Sequence, residues 1–212
     1  MNTDFIKGVV VPMITPIDKD ELIDEAAIRS QVDYVIDGGV SGILLFGSNG
    51  EFYVVEEDEM ERGLKIVVDQ AAGRVPVYFG IGAISTKKCI RLAKMAVANG
   101  AASVSVLQPM FLKPTETELF THFKAIADAI PETPVLLYNN PGRVGYTLSA
   151  NLVDRLAHEV PNIVGMKDTS GDITQTSEFI RRTRDVGFKV FGGKDTLLYA
   201  SLCHGAVGGV CT

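Results

Sequence analysis

An eight-stranded α/β barrel is the fold this 212-residue sequence predicts, and three observations predict it. Eight short apolar runs punctuate the chain, seven amphipathic stretches separate them, and each unit takes roughly 25–35 residues. The runs are Gly8 to Ile14, Gly42 to Phe46, Val75 to Gly80, Ser103 to Leu107, Val135 to Tyr138, Ile163 to Lys167, Lys189 to Phe191 and Val207 to Cys211. They are unbroken and rich in Val, Ile and Leu, as in parallel strands covered on both faces.

The helical stretches fall at about 24–37, 56–72, 86–99, 115–129, 149–158, 173–185 and 195–204. Thr115 with Glu118, and Asp172 with Gln175, have capping-box spacing. Gly38-Gly39 and Asn99-Gly100 read as helix stops. Strand and helix alternating to a count of eight favours a closed (β/α)8 TIM barrel. A doubly wound open sheet competes, but it puts a glycine-rich phosphate turn after strand one, where this chain has Pro12-Met13-Ile14-Thr15-Pro16. Residues 1–212 form a single barrel domain in this reading. Thr212 falls just past strand eight, whereas such barrels typically run to about 250 residues. The barrel is therefore expected to be C-terminally incomplete, lacking its last helix and any helical extension, with an apolar strand left uncovered.

A formal charge of −6 argues against nucleic-acid binding, which needs clustered Lys and Arg. The first residues lack the apolar stretch of a signal peptide, and no apolar run approaches the roughly 18 residues of a membrane span. Cys89, Cys203 and Cys211 are odd in number and widely spaced. They read as free thiols of a cytoplasmic protein, and no Cys or His pair has zinc-ligand spacing. His122, His158 and His204 fall within or at the ends of helices, away from the strand ends where barrel sites form.

One strand carries an anomaly. Ile163 to Met166 is apolar, yet the next residue is Lys167. Burial disfavours a charged ammonium, and a neutral amine is what a Schiff-base nucleophile needs. A lysine snorkelling from a strand end is the plainer reading. Other strand ends carry candidates of their own. Gly47-Ser48-Asn49-Gly50 after strand two suits a tight turn whose N–H groups cradle a carboxylate, or merely leads into a helix. Tyr138 ends strand five, as a proton-transfer group or an aromatic lid. Arg143, in the loop beyond it, suits a second carboxylate or the open surface. Gly193 and the glycines before Val210 leave room for a ligand at strands seven and eight, or allow close packing.

Three ordered segments identify a relationship: Gly47-Ser48-Asn49-Gly50-Glu51, Tyr138-Asn139-Asn140-Pro141-Gly142-Arg143-Val144-Gly145, and Gly165-Met166-Lys167-Asp168-Thr169-Ser170-Gly171. Together, and spread over Gly8 to Thr212, the chain resembles the dihydrodipicolinate synthase and N-acetylneuraminate lyase family of pyruvate-dependent class I aldolases. The resemblance implies that Lys167 forms an imine with pyruvate, with no other cofactor and no metal. It implies that Tyr138 shuttles protons with the Ser48 hydroxyl, that Ser48 and Asn49 hold the pyruvate carboxylate, and that Val210 lies beside pyruvate. The enamine then meets an aldehyde, or the reverse path cleaves a 2-keto acid. It also implies a homo-oligomer, dimer or tetramer.

The chain departs from the lysine-pathway synthases at two places. Gln108-Pro109-Met110-Phe111 has no phenol where they carry a shared tyrosine, and Asn49 replaces a threonine. The motifs look more like those of 4-hydroxy-2-oxoglutarate aldolases, while Arg143 points to the synthases. A small acidic aldehyde such as glyoxylate or a semialdehyde suits both. Rival readings are a true synthase of lysine biosynthesis, a phosphate-binding barrel using the late glycines, and a non-catalytic family member.

Overall fold

The computed structural model describes residues 1–212. Eight parallel strands close into a barrel in chain order, with β8 pairing back onto β1. The strands are β1 (Gly8–Pro12), β2 (Gly42–Leu45), β3 (Val77–Ile81), β4 (Ser103–Leu107), β5 (Val135–Asn139), β6 (Ile163–Asp168), β7 (Lys189–Gly192) and β8 (Gly208–Val210). The helices are α1 (Glu25–Asp37), α2 (Glu57–Ala71), α3 (Thr86–Ala98), α4 (Glu116–Asp128), α5 (Pro141–Val144), α6 (Ala150–Glu159), α7 (Ile173–Thr183) and α8 (Leu198–Cys203). Every predicted strand and helix is present. The one-turn α5 is additional, because its Pro-Gly start reads as a loop from sequence, and a 3-10 turn at Asp195–Leu197 opens the last helical stretch.

Local chemistry explains most boundaries. Asp24, Ser85, Thr115, Ser149 and Asp172 each cap a helix through a side-chain oxygen. Thr115 and Glu118 form the full reciprocal box. Asp172 caps α7 as predicted, but Gln175 does not reciprocate. Its amide donates instead to the Leu148 carbonyl, while the Asp172 N–H donates to Ser170. Gly39 and Gly100 take the left-handed conformation just beyond α1 and α3, where a side chain would be strained.

Two apolar layers result. One lies between strands and helices, where Ile28, Leu64, Phe123 and Phe179 meet Phe79, Val104 and Leu137. The other fills the barrel with Ile6, Val10, Leu44, Tyr78, Leu136, Phe191 and Val210. The Tyr78 hydroxyl donates to the Phe5 carbonyl, so the segment before β1 plugs the amino end of the barrel. The opposite end stays open. Val9, on the outside of β1, is 42% exposed.

Candidate active site

A polar pocket of about 370 Å3 occupies the carboxyl end of the barrel, lined by Ser48, Asn49, Tyr138, Arg143, Lys167, Gly193 and Val210 among others. All seven residues singled out from sequence therefore meet in one cavity. Strand register brings the central pair together. Tyr138 of β5 stands opposite Lys167 of β6, and the lysine Nζ lies 4.6 Å from the centre of the tyrosine ring. Lys167 is only 7% exposed, has no carboxylate within ion-pair distance, and presents its amine to the pocket.

The Tyr138 hydroxyl is held from two sides. Asn140 Nδ2 donates to it at 2.8 Å, and the Ser48 hydroxyl lies 3.3 Å away. Burial alone would push this phenol up. The Lys167 charge and the hydrogen bonds with Ser48 and Asn140 outweigh that and hold it below its ordinary value. Thr169 Oγ1 is buried without a partner of its own in good geometry.

The Ser48 turn depends on close backbone approach. A side chain on Gly80 of β3 would fall 2.5 Å from the Phe46 carbonyl oxygen, so only glycine admits the chain reversal there. Phe46 and Glu51, flanking the turn, both take left-handed backbone conformations that cost non-glycine residues energy. The outcome is a turn whose Ser48 and Asn49 N–H groups make no hydrogen bond within the protein and are free for an anion. Gly193 has a comparable steric role. A Cβ there would lie 2.9 Å from Lys167 Cε and closer still to the Thr169 hydroxyl.

Alternate residues of β5 and β6 face away from the pocket and brace it. Asp168 is buried and accepts from Asn139 Nδ2, the Ser170 N–H, the Ser170 hydroxyl and the Thr176 hydroxyl. Gln108 donates to Asn139 and to the Tyr146 carbonyl, and accepts from the Asn140 N–H. Strand ends β4, β5 and β6 are thereby tied to one another and to α7. Arg143 lies in α5 just before buried Val144 and is exposed at the pocket rim.

Sequence reading missed Asn140, Thr169, Lys194 and Asp195, which also line the pocket. The first two were recoverable: Asn140 follows Tyr138, and Thr169 follows Lys167, by two residues, and period two keeps side chains on one face of an extended chain. The histidines stay away. His122 is buried between α3 and α4 against Thr86, and His158 pairs with Asp185 on the outer surface. Phe111, in the β4–α4 connection, is 91% exposed and does not line the pocket. No helix is long and apolar enough to cross a membrane.

A closed parallel barrel with a buried amine on its sixth strand, beside a phenol held on its fifth, defines a class I aldolase or lyase working through a lysine imine. The chain belongs to the dihydrodipicolinate synthetase family, whose model matches residues 5–212. Members of that family are pyruvate-dependent enzymes that form a Schiff base with lysine. The chain is 38% identical to a 4-hydroxy-tetrahydrodipicolinate synthase of Salinibacter ruber, over 96% of its own length and 67% of the relative's. It superposes with TM-score 0.92 on a dihydrodipicolinate synthase of Bacillus anthracis, at 36% identity, covering 97% of this chain and 69% of that one. It superposes with TM-score 0.93 on a prophage protein of the same family from E. coli K12 in complex with pyruvate, at 30% identity and with the same coverage. The chain thus spans about two thirds of the length of these relatives.

Proposed function

We propose that this enzyme condenses pyruvate with a small acidic aldehyde, or releases pyruvate from the corresponding 2-keto acid, through an imine on Lys167. The pairing of buried Lys167 with Tyr138 across neighbouring strands is the observation that carries the reading. The Lys167 amine attacks C2 of pyruvate, and the resulting carbinolamine loses water to give the imine. A C3 proton then leaves toward the Tyr138 oxygen, and the electron pair flows into the iminium to form an enamine. The enamine carbon attacks the aldehyde carbonyl, whose oxygen takes a proton back through Tyr138 and Ser48. Water finally releases the 2-keto acid and restores the amine. The free N–H groups of Ser48 and Asn49 support a carboxylate site, buried Val210 supports an apolar wall beside the pyruvate methyl, and Arg143 supports an acidic acceptor. Solved relatives of the family from E. coli K12 and Acinetobacter baumannii are complexes with pyruvate. No cofactor beyond the covalent imine enters this scheme.

The reading is tested by borohydride reduction in the presence of pyruvate, followed by mass mapping. A stable adduct on Lys167 is expected in the parent chain and none in Lys167→Ala. A parent chain without an adduct would sink the proposal.

A second reading, synthesis of 4-hydroxy-tetrahydrodipicolinate, is favoured by the name shared by the curated relatives and by Arg143 at the rim. Formation of that product from pyruvate and a semialdehyde separates the two. A homo-oligomer is part of the proposal. An apolar groove of about 470 Å3 runs past Phe52, Tyr53, Val54, Ile84 and Met110, with exposed Phe111 and Leu112 following it in the chain. Three free cysteines support a reducing, cytoplasmic setting.

A further inference from the structure

The pocket's charge runs opposite to that of the molecule. The chain carries a net −6, yet Lys167, Arg143 and Lys194 line the pocket against a single carboxylate, Asp195. Asp195 is already engaged, since its Oδ2 accepts from the N–H and the hydroxyl of Thr212. No carboxylate lies within 4.0 Å of the Arg143 or Lys194 side-chain nitrogens. Two cations in one cavity, neither facing a carboxylate, make a setting suited to an anionic ligand.

Lys194 is also well placed to meet a bound acceptor. It follows Gly193, whose missing side chain leaves room for Lys167 Cε. Its own stem lies across the turn after β6, with Cε 3.4 Å from where a Cβ on Gly171 would stand. That turn contributes Thr169 and Ser170 to the pocket wall. Lys194 and Arg143 thus reach the cavity from the ends of β7 and β5, on either side of the β6 lysine.

We propose that Lys194 is a specificity-determining residue, which with Arg143 grips an anionic group on the acceptor at the end remote from its aldehyde. The inference rests on the imine chemistry proposed above. A carboxylate and a phosphate ester offer the same charge to these groups, and a pocket of about 370 Å3 restricts either to a small molecule. Arginine suits bidentate contact with such a group, and lysine adds a point charge.

The experiment measures pyruvate condensation by the full chain with succinic semialdehyde, glyceraldehyde 3-phosphate and neutral butyraldehyde. Lys194→Met keeps the stem and removes the charge. It is expected to lower kcat/KM about tenfold or more for the preferred anionic acceptor, mainly through KM, and to leave butyraldehyde within twofold. Lys194→Arg should restore most of the loss, and the acceptor that responds identifies carboxylate or phosphate. An equal effect on charged and neutral acceptors, no effect, or no turnover of an anionic acceptor overturns the assignment. Borohydride trapping with pyruvate alone separates the layers. An adduct with unchanged acceptor preference defeats only the role of Lys194, whereas a missing adduct defeats the imine reading and this one with it.

Discussion

In the proposed reaction Tyr138 and Lys167 gain their chemistry from each other. The tyrosine ring offers its face to the lysine nitrogen at 4.6 Å, and the lysine charge helps hold the phenol below its ordinary value. Replacing the hydroxyl alone isolates proton transfer, because Tyr138→Phe keeps the ring and its packing. We expect kcat to fall about 10²–10⁴-fold while pyruvate can still be trapped on Lys167. Full retention of kcat would show that another group moves the proton, with the Ser48 hydroxyl, 3.3 Å from the Tyr138 oxygen, the first candidate. Gly193 is part of the same unit, for any side chain there would displace Lys167 Cε.

Strand β6 presents its lysine to Tyr138 because of an irregularity. Val135 pairs with Ile163 but Leu136 pairs with Gly165, so Val164 is passed over and the register slips by one. Without the slip, Tyr138 would face Met166 and Lys167 would project from the opposite side of the sheet. Gly165 permits it, since a Cβ there would fall 2.4 Å from the Lys189 carbonyl oxygen. The seam between α3 and α4 carries a separate consequence. Burial pushes His122 down to about 4, and its Nε2 has no partner. The unfolded chain takes up this proton near pH 6.5 and the folded chain near pH 4, so stability falls as pH drops between those values and is unaffected above them. The loss amounts to about 3 kcal/mol. His158, raised by Asp185 and Asp154, works in the opposite sense at the exposed surface. Between pH 7 and 4.5 the urea midpoint of the parent should fall relative to that of His122→Phe. Parallel curves would show that His122 does not govern this window.

At the scale of the whole molecule, the proposed assembly rests on the apolar strip around Phe111. That residue is left-handed at φ 82° and 91% exposed, an arrangement that costs both backbone strain and apolar hydration. Covering by a second copy offsets the hydration cost. Sedimentation of Phe111→Asp should show a smaller species than the parent chain with unchanged far-ultraviolet dichroism. An unaltered assembly, or a monomeric parent, would remove this strip as the interface.

Much of this architecture is legible in the sequence. The alternation of apolar runs with amphipathic stretches determined eight strands and their helices, because periodicity records which faces are buried. Three motifs likewise determined which residues would meet, since barrel strands share one carboxyl end. The one-turn helix bearing Arg143 was not legible, because Pro-Gly signals a turn of either kind. Nor were Lys194 and Asp195, polar residues beside a glycine with nothing local to distinguish them from surface. The tertiary structure alone decided the one-residue slip that turns Lys167 toward Tyr138, the absence of an acidic partner for Lys194 and Arg143, and the bracing of Asp168. Each depends on which backbones and charges lie close in space across different strands, and spacing along the chain does not record that.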